Sequence, residues 1–183
     1  MRYSIRQQAD HWLIFNPEGP VLGMSAMDLK ESQGLAFKNL SGTPELLPYE
    51  DWRLPCEARA RDLAARLTVE EIAGLMLWSP HQMVPFLPGL PFVGHYDGGD
   101  FRPGMDPAAL TDEQIRFVRE ENIRNILLTL TQSAEVSARW NNKLQTLAEE
   151  SRLGIPVCIS SDPRHAAGKK SAEFSGTGKE VSR

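Results

Sequence analysis

Cysteine is nearly absent: 183 residues hold two, Cys56 and Cys158. Two thiols so far apart form neither a disulfide framework nor a zinc-ligand spacing. They are expected to be reduced structural residues, Cys56 at a helix start and Cys158 in a buried strand. No apolar run approaches the roughly 18 residues a spanning helix needs, so no membrane partner is expected. The opening stretch, MRYSIRQQADHWLIF, lacks the apolar centre of a secretory leader, and a cytoplasmic location is the expectation. Basic charge is also short: 20 Lys and Arg stand against 24 Asp and Glu, a net charge of -4 that offers nucleic acid no basic footprint. No glycine-rich phosphate loop precedes a helix, no G-x-S-x-G elbow occurs, and no internal repeat is visible.

What remains is an ordinary globular composition, 41% hydrophobic and 24% charged, long enough for one domain with a core, with or without an appendage. In the first 50 residues HWLIF and GPVLGM have strand character, and NPEG, SGTP and LLP are turn chemistry. In LPCEARARDLAARL, Pro55 suits a first helical turn, and Ala60, Leu63, Ala64 and Leu67 form one apolar stripe. TVEE at 68–71 has the form of a capping box and opens a second helix. Residues 80–107 hold six of the thirteen prolines and five glycines and read as a long irregular loop, a kind that is usually functional or disordered. TDEQ at 111–114 is a further capping box. NILLTL at 125–130 is a strand, and Ser133 caps a helix with Val136, Trp140, Leu144 and Leu147 on one face. Gly154 reads as the residue closing that helix, and IPVCIS follows as the next strand. Strand, helix, strand over 125–160 is the unit of a parallel sheet, whose ligands gather beyond the carboxyl ends of the strands. The polar, glycine-rich tail from Gly168 onward reads as mobile.

SSDPRH, at 160–165, stands at such an end. Asp162 can cap the following turn, which Pro163 favours, or its carboxylate can accept paired hydrogen bonds from sugar hydroxyls. Arg164 and His165 are the adjacent candidates for ligand contact. His95, Asp97 and Asp100 in GHYDGGD imitate a hard-metal cluster, but with no second carboxylate-rich segment they read as a solvated loop. The four tryptophans, at 12, 52, 78 and 140, read as packing residues rather than sugar platforms. No metal and no cofactor is expected.

Two longer stretches, LLPYEDWRLPCEARARDLAARLTVEEIAGLM (46–76) and NNKLQTLAEESRLGIPVCISSDPRHAAG (141–168), together resemble glycoside hydrolase family 3. The first resembles the family's opening segment, with P-Y-E-D, L-P, a Thr-led capping box and G-x-M. The second resembles the first barrel helix, second strand and sugar-binding loop. The resemblance covers most of residues 37–168. It implies an α/β fold that is the N-terminal part of a (β/α)8-type barrel. On this reading residues 1–50 are an N-terminal extension, and 51–183 are the start of the barrel domain, truncated. The implied activity is retaining, exo-acting hydrolysis of terminal β-D-glucosyl residues, in which two carboxyl groups about 5 Å apart act as nucleophile and acid/base.

The same resemblance gives Asp162 the grip on terminal-sugar hydroxyls and makes His165 the histidine of a D-x-x-H-G loop, with Ala166 replacing its usual glycine. Asp162 leans towards β-glucosides, because relatives acting on xylosides tend to carry Glu there; an N-acetylglucosaminide is a further option. The family's later Lys-His and S-D-W-like motifs do not occur, and Lys169 and Lys170 are not followed by His. The expected partners are therefore a small saccharide or glycoside and the missing C-terminal remainder of the barrel, from the same gene or a separate chain. With two strands and no nucleophile, the chain is expected to be inactive alone. The alternative is a non-catalytic carbohydrate-binding or interaction remnant, or part of a split enzyme. Finally, many relatives carry an EF-hand-like loop before P-Y-E-D. Here Asn39, Ser41, Thr43 and Glu50 take its positions 1, 3, 5 and 12, but Pro44 and Leu47 replace the turn glycine and a carboxylate. It reads as an eroded relic that still turns the chain.

Overall fold

The computed structural model of the chain describes residues 2–8, 11–26, 28–88 and 94–160. These form a mixed α/β structure that divides into two compact units, Met1–Val69 with Glu149–Ile155, and Glu70–Ala148 with Pro156–Arg183. Among the described residues no closed barrel is present.

In the first unit, β1 (Ser4–Gln8), β2 (His11–Phe15) and β3 (Val21–Met24) form an antiparallel meander, with Ile5 opposite Ile14 and Ile14 opposite Leu22. The strand character of HWLIF and VLGM comes from β-branched and aromatic residues on a half-buried sheet. β4 (Leu29–Ser32) and β5 (Leu35–Lys38) make a hairpin closed by Gln33 and Gly34, at φ 55° and 76°. Two consecutive left-handed residues give the turn whose twist matches the strands it joins. Asn16 binds Ala36 twice, donating to its carbonyl (3.1 Å) and accepting from its N–H (2.7 Å), so a side chain does the work of a strand neighbour. Ile14, Met24 and Ala36 form the small core, with Trp12, Leu22 and Leu29 packed on it. Phe37 stacks on Trp52 at 5.2 Å, and Trp52 donates its indole N–H to the Ala36 carbonyl. Lys30 and Glu50 meet as a buried ion pair.

α1 (Cys56–Ala64) begins after Pro55, which stands just outside the helix rather than in its first turn. None of its residues is buried: the apolar stripe of Ala60, Leu63, Ala64 and Leu67 is half covered or exposed. Gly154 is left-handed at φ 58°, as expected, but in a turn that donates to the Ser151 carbonyl rather than as the residue closing a helix.

In the second unit, α2 (Val69–Leu75) precedes β6 (Gln82–Val84), followed by α3 (Asp112–Arg119), β7 (Asn125–Thr131), α4 (Ala134–Glu149) and β8 (Cys158–Ser160). The three strands are parallel in the order β6-β7-β8, Gln82 aligning with Leu128 and Ile159 with Ile126. β6 corrects the sequence expectation: it lies inside the stretch read as irregular, so the sheet has three strands here rather than two. Cys158 and Cys56 are both exposed, contrary to the buried strand position expected for Cys158. β8 pairs on one side only among the described residues, and its first residue is exposed.

The core of this unit runs from Val84 through Phe117, Val118, Ile126 and Leu128 to Val136, Trp140, Leu144 and Leu147. α3 starts at the full capping box foreseen: Thr111 Oγ1 accepts from the Gln114 N–H and Gln114 Oε1 accepts from the Thr111 N–H. Ser133 Oγ accepts from the Val136 N–H at the start of α4, whose last residue is Glu149, five short of Gly154. Gln114 does more than cap: it donates to Gln82 Oε1 (3.1 Å) and accepts from the Trp140 indole (3.0 Å). Gly74 brings α2 against main chain, since a Cβ there would lie 2.4 Å from the Glu121 carbonyl oxygen. Ile72, Met76, Leu77 and Trp78 stand exposed nearby in sequence.

Trp140 has no exposed surface and carries a buried donor. Trp140→Ala should therefore lower unfolding free energy by about 3–5 kcal/mol in urea titration. Trp78→Ala, at a site 54% exposed, should cost less than about 1 kcal/mol.

Candidate functional site

In a parallel sheet the carboxyl ends of the strands gather the segments that meet ligands. Here those ends are Val84, Thr131 and Ser160. Asp162, Arg164 and His165, the residues singled out in the sequence, lie outside the described residues, as does Gly168. The described chain stops at Ser160 in β8, two residues before Asp162.

The segment after β6 is described at both of its ends. Val84–Pro85 is a cis peptide bond, and the Val84 carbonyl accepts from the Gln132 N–H just beyond β7. Phe86 donates its N–H to the Tyr96 hydroxyl at 2.9 Å, and Met83, Phe86 and Tyr96 form an apolar cluster with Phe101, Met105 and Leu130. Three carboxylates anchor the loop. Glu113 accepts from the His95 N–H (2.8 Å) and lies 2.6 Å from His95 Nδ1. Asp112 accepts from the N–H groups of Asp97 and Gly98. Asp106 is paired with Lys143 at 2.6 Å and with Arg139, both on α4. The Lys143 ammonium leads in lowering the Asp106 pKa to about 2.

His95, Asp97 and Asp100 thus do not assemble as ligands: His95 pairs with Glu113, and Asp97 contributes its main chain to a turn at φ 51°. Among the described residues no group of three His, Cys, Asp or Glu side chains is placed to hold a metal ion. The Glu113 carboxylate raises the His95 pKa, with lesser contributions from Asp100 and Asp112.

One polar pair escaped the sequence reading. His81 Nδ1 lies 2.8 Å from Thr129 Oγ1. Ile126 and Leu128 of β7 join the core against α4, so alternation turns Thr129 to the opposite face of the sheet. The only local signal was His81 standing directly before the overlooked strand QMV. In the first unit, a separate cleft of about 300 Å³ is lined in part by Asp28, Lys38, Ser41, Glu149 and Arg152. Glu149 is committed there: it takes Lys38 at 2.5 Å and both the N–H and hydroxyl of Ser25. Burial alone would raise its pKa, but these partners hold it below the usual carboxylate range, which unsuits it as a proton donor.

No family model matches the sequence. Individual relatives do. Over 157 residues, 83% of this chain, it is 37% identical to a periplasmic beta-glucosidase/beta-xylosidase of Dickeya chrysanthemi. The chain belongs to the β-glucosidase-like glycoside hydrolases. It is also 32% identical over 139 residues, 73% of this chain, to beta-glucosidase C of Emericella nidulans, and 30% identical over 120 residues, 64% of this chain, to a probable beta-glucosidase C of Aspergillus oryzae. It spans 22%, 19% and 16% of those three proteins, about a fifth of their length.

The His95–Glu113 contact predicts a titration. Because the folded-state pKa of His95 is raised, the pair's stabilising effect is present below the ordinary value near 6.5 and is lost as pH rises through the elevated one. The His95 ring resonances should titrate above 6.5 in NMR, and Glu113→Gln should bring the midpoint back towards 6.5.

Proposed function

We propose that this chain is the opening part of the catalytic barrel of a retaining, exo-acting β-glucosidase of glycoside hydrolase family 3. Its contribution to catalysis is one wall of the terminal-sugar subsite. The observation that carries this is the 37% identity across 83% of the chain to a protein named for β-glucosidase and β-xylosidase activity. The parallel order β6-β7-β8 supports it, because β8 ends two residues before Asp162 in the sequence. The open outer edges of β6 and β8 among the described residues, and the only partly covered stripe of α1, are what the first strands and helices of an unclosed barrel would leave.

In this proposal Asp162 stays ionised and accepts hydrogen bonds from two adjacent hydroxyls of the terminal sugar. Arg164 and His165 donate to the same ring or hold the carboxylate in place. Gripping the ring fixes the anomeric carbon relative to groups that this chain does not carry. The nucleophile and the acid/base, about 5 Å apart in a retaining enzyme, come from the remainder of the barrel. The shorter Asp, rather than Glu, is the reason for placing β-glucosides ahead of β-xylosides.

The test uses this chain by itself and the same chain joined to, or mixed with, its barrel remainder, assayed on an aryl β-glucoside. The 183 residues alone should show no turnover. With the remainder present, Asp162→Ala should lower kcat/KM by about 10²–10⁴, the loss of two charge-assisted hydrogen bonds. Turnover by the isolated chain that disappears with Asp162→Ala would mean that the catalytic groups are misassigned. An Asp162→Ala enzyme of undiminished kcat/KM would remove the residue from the subsite.

A further inference from the structure

Lys30 projects from β4, opposite Phe37 of β5, into a place where ammonium groups are rare: the residue is 7% exposed. An ammonium has three protons to donate, and here each finds an acceptor. They are the Ser41 hydroxyl at 2.9 Å, the Glu45 main-chain carbonyl at 2.7 Å and Glu50 Oε2 at 2.5 Å. All three belong to the twelve residues Asn39–Glu50, where they occupy positions 3, 7 and 12. An EF-hand loop binds calcium with a side-chain oxygen at position 3, a main-chain carbonyl at 7 and a carboxylate at 12. Position 7 is the most telling coincidence, because there the ligand is backbone and owes nothing to residue type.

The remaining geometry fits a cation cradle closed around nitrogen. Glu50, 4% exposed, keeps both oxygens occupied: Oε2 also accepts from the Leu47 N–H at 2.9 Å, and Oε1 from the Ser41 N–H at 2.8 Å. Burial would raise its pKa, but Lys30 and those amides outweigh it and hold the carboxyl below its ordinary range. Thr43, at position 5, lies 2.8 Å from the Ser41 hydroxyl and supports it from behind. Asn39, at position 1, donates to both Asp28 oxygens, while its own Oδ1 is buried without a hydrogen-bond partner. The left-handed residue that lets the loop turn is Gly42 at position 4, φ 67°, with Pro44 at position 6. With Lys30 in place the residues do not fit calcium, which asks for six to eight oxygens at about 2.3–2.6 Å. Three of the oxygens on offer already face an ammonium.

The geometry points to Lys30 Nζ as the resident cation of this loop, a tethered ammonium doing the structural work of calcium, with a divalent-cation site uncovered only when that ammonium is removed. The inference does not depend on the proposed glycosidase activity. Tether and charge both matter. A lysine supplies one positive charge to a loop whose ligand set holds one carboxylate, so the buried pair is neutral. Removing either partner strands the other in a low-dielectric site.

The experiment compares thermal unfolding of the full 183-residue chain, wild type and Lys30→Ala, in EDTA and in about 10 mM calcium chloride, ample for a site of millimolar affinity. Terbium luminescence sensitised by Tyr49 serves as a direct binding readout. Wild type should melt at the same temperature in both buffers and give no terbium signal that calcium displaces. Lys30→Ala should melt lower in EDTA, regain about 3 °C or more with calcium and acquire a displaceable terbium signal. Adding Glu50→Gln to that variant should abolish both gains. Lys30→Ala recovered folded only in calcium would also support the inference. Calcium stabilisation of the wild type overturns it. So does a Lys30→Ala chain that calcium leaves unchanged, folded or unfolded.

Discussion

The carboxamide of Gln114 is the point through which the larger unit is held. It is 2% exposed, and each of its oxygen and nitrogen atoms has a partner on a different piece of chain: the Thr111 N–H, the Trp140 indole and the Gln82 side chain. One residue therefore fixes where α3 begins, how α4 packs through its largest side chain, and where β6 lies. The arrangement is demanding. A buried amide is tolerable only when fully hydrogen-bonded, and a partial set is worse than an apolar core. Because both its oxygen and its nitrogen are engaged, the network ties two helices and a strand together around Trp140.

Around that centre the sheet is ordered but unfinished at its sides. β7 has a neighbour on both edges, whereas β6 and β8 each have one among the described residues. Parallel strands are normally covered on both faces and paired on both edges. The loop after β6 is nonetheless firmly anchored, by Asp106 to α4 and by Asp112 and Glu113 to the residues around His95. The described segment after β6 thus rests on salt-bridged, capped elements rather than standing free.

Much of this was legible from local chemistry. Thr111 with Gln114, Ser133, and the four apolar residues of α4 announced two helices because caps and a 3.6-residue period are written within a few positions. What escaped was settled at long range. β6 is three residues flanked by prolines, and only pairing with β7, more than forty residues later, makes it a strand. α4 stops at Glu149 rather than running to Gly154, and Glu149 is occupied by Ser25 and Lys38, 124 and 111 residues earlier in sequence. Cys158 read as buried because its neighbours are apolar, yet it is exposed at the start of a strand paired on one side among the described residues. The Asp162 motif was legible as a motif alone, whereas the His81–Thr129 pair had no motif at all, since its members stand 48 residues apart. The loop at 39–50 was recognisable through the family resemblance, but its occupant, Lys30, lies outside the twelve residues and is invisible to any pattern drawn on them.

Gly74 carries a consequence of its own. Its missing side chain lets α2 rest directly on the carbonyls of Glu121 and Asn122, so the helix is seated on rigid main chain rather than on adjustable side chains. Ile72 and Met76, two residues to either side, fall on the opposite face of that turn. Their apolar surface is therefore carried on a stiff mount. An apolar surface that packed on it would meet residues already seated, and would lose little to the freezing of backbone motion.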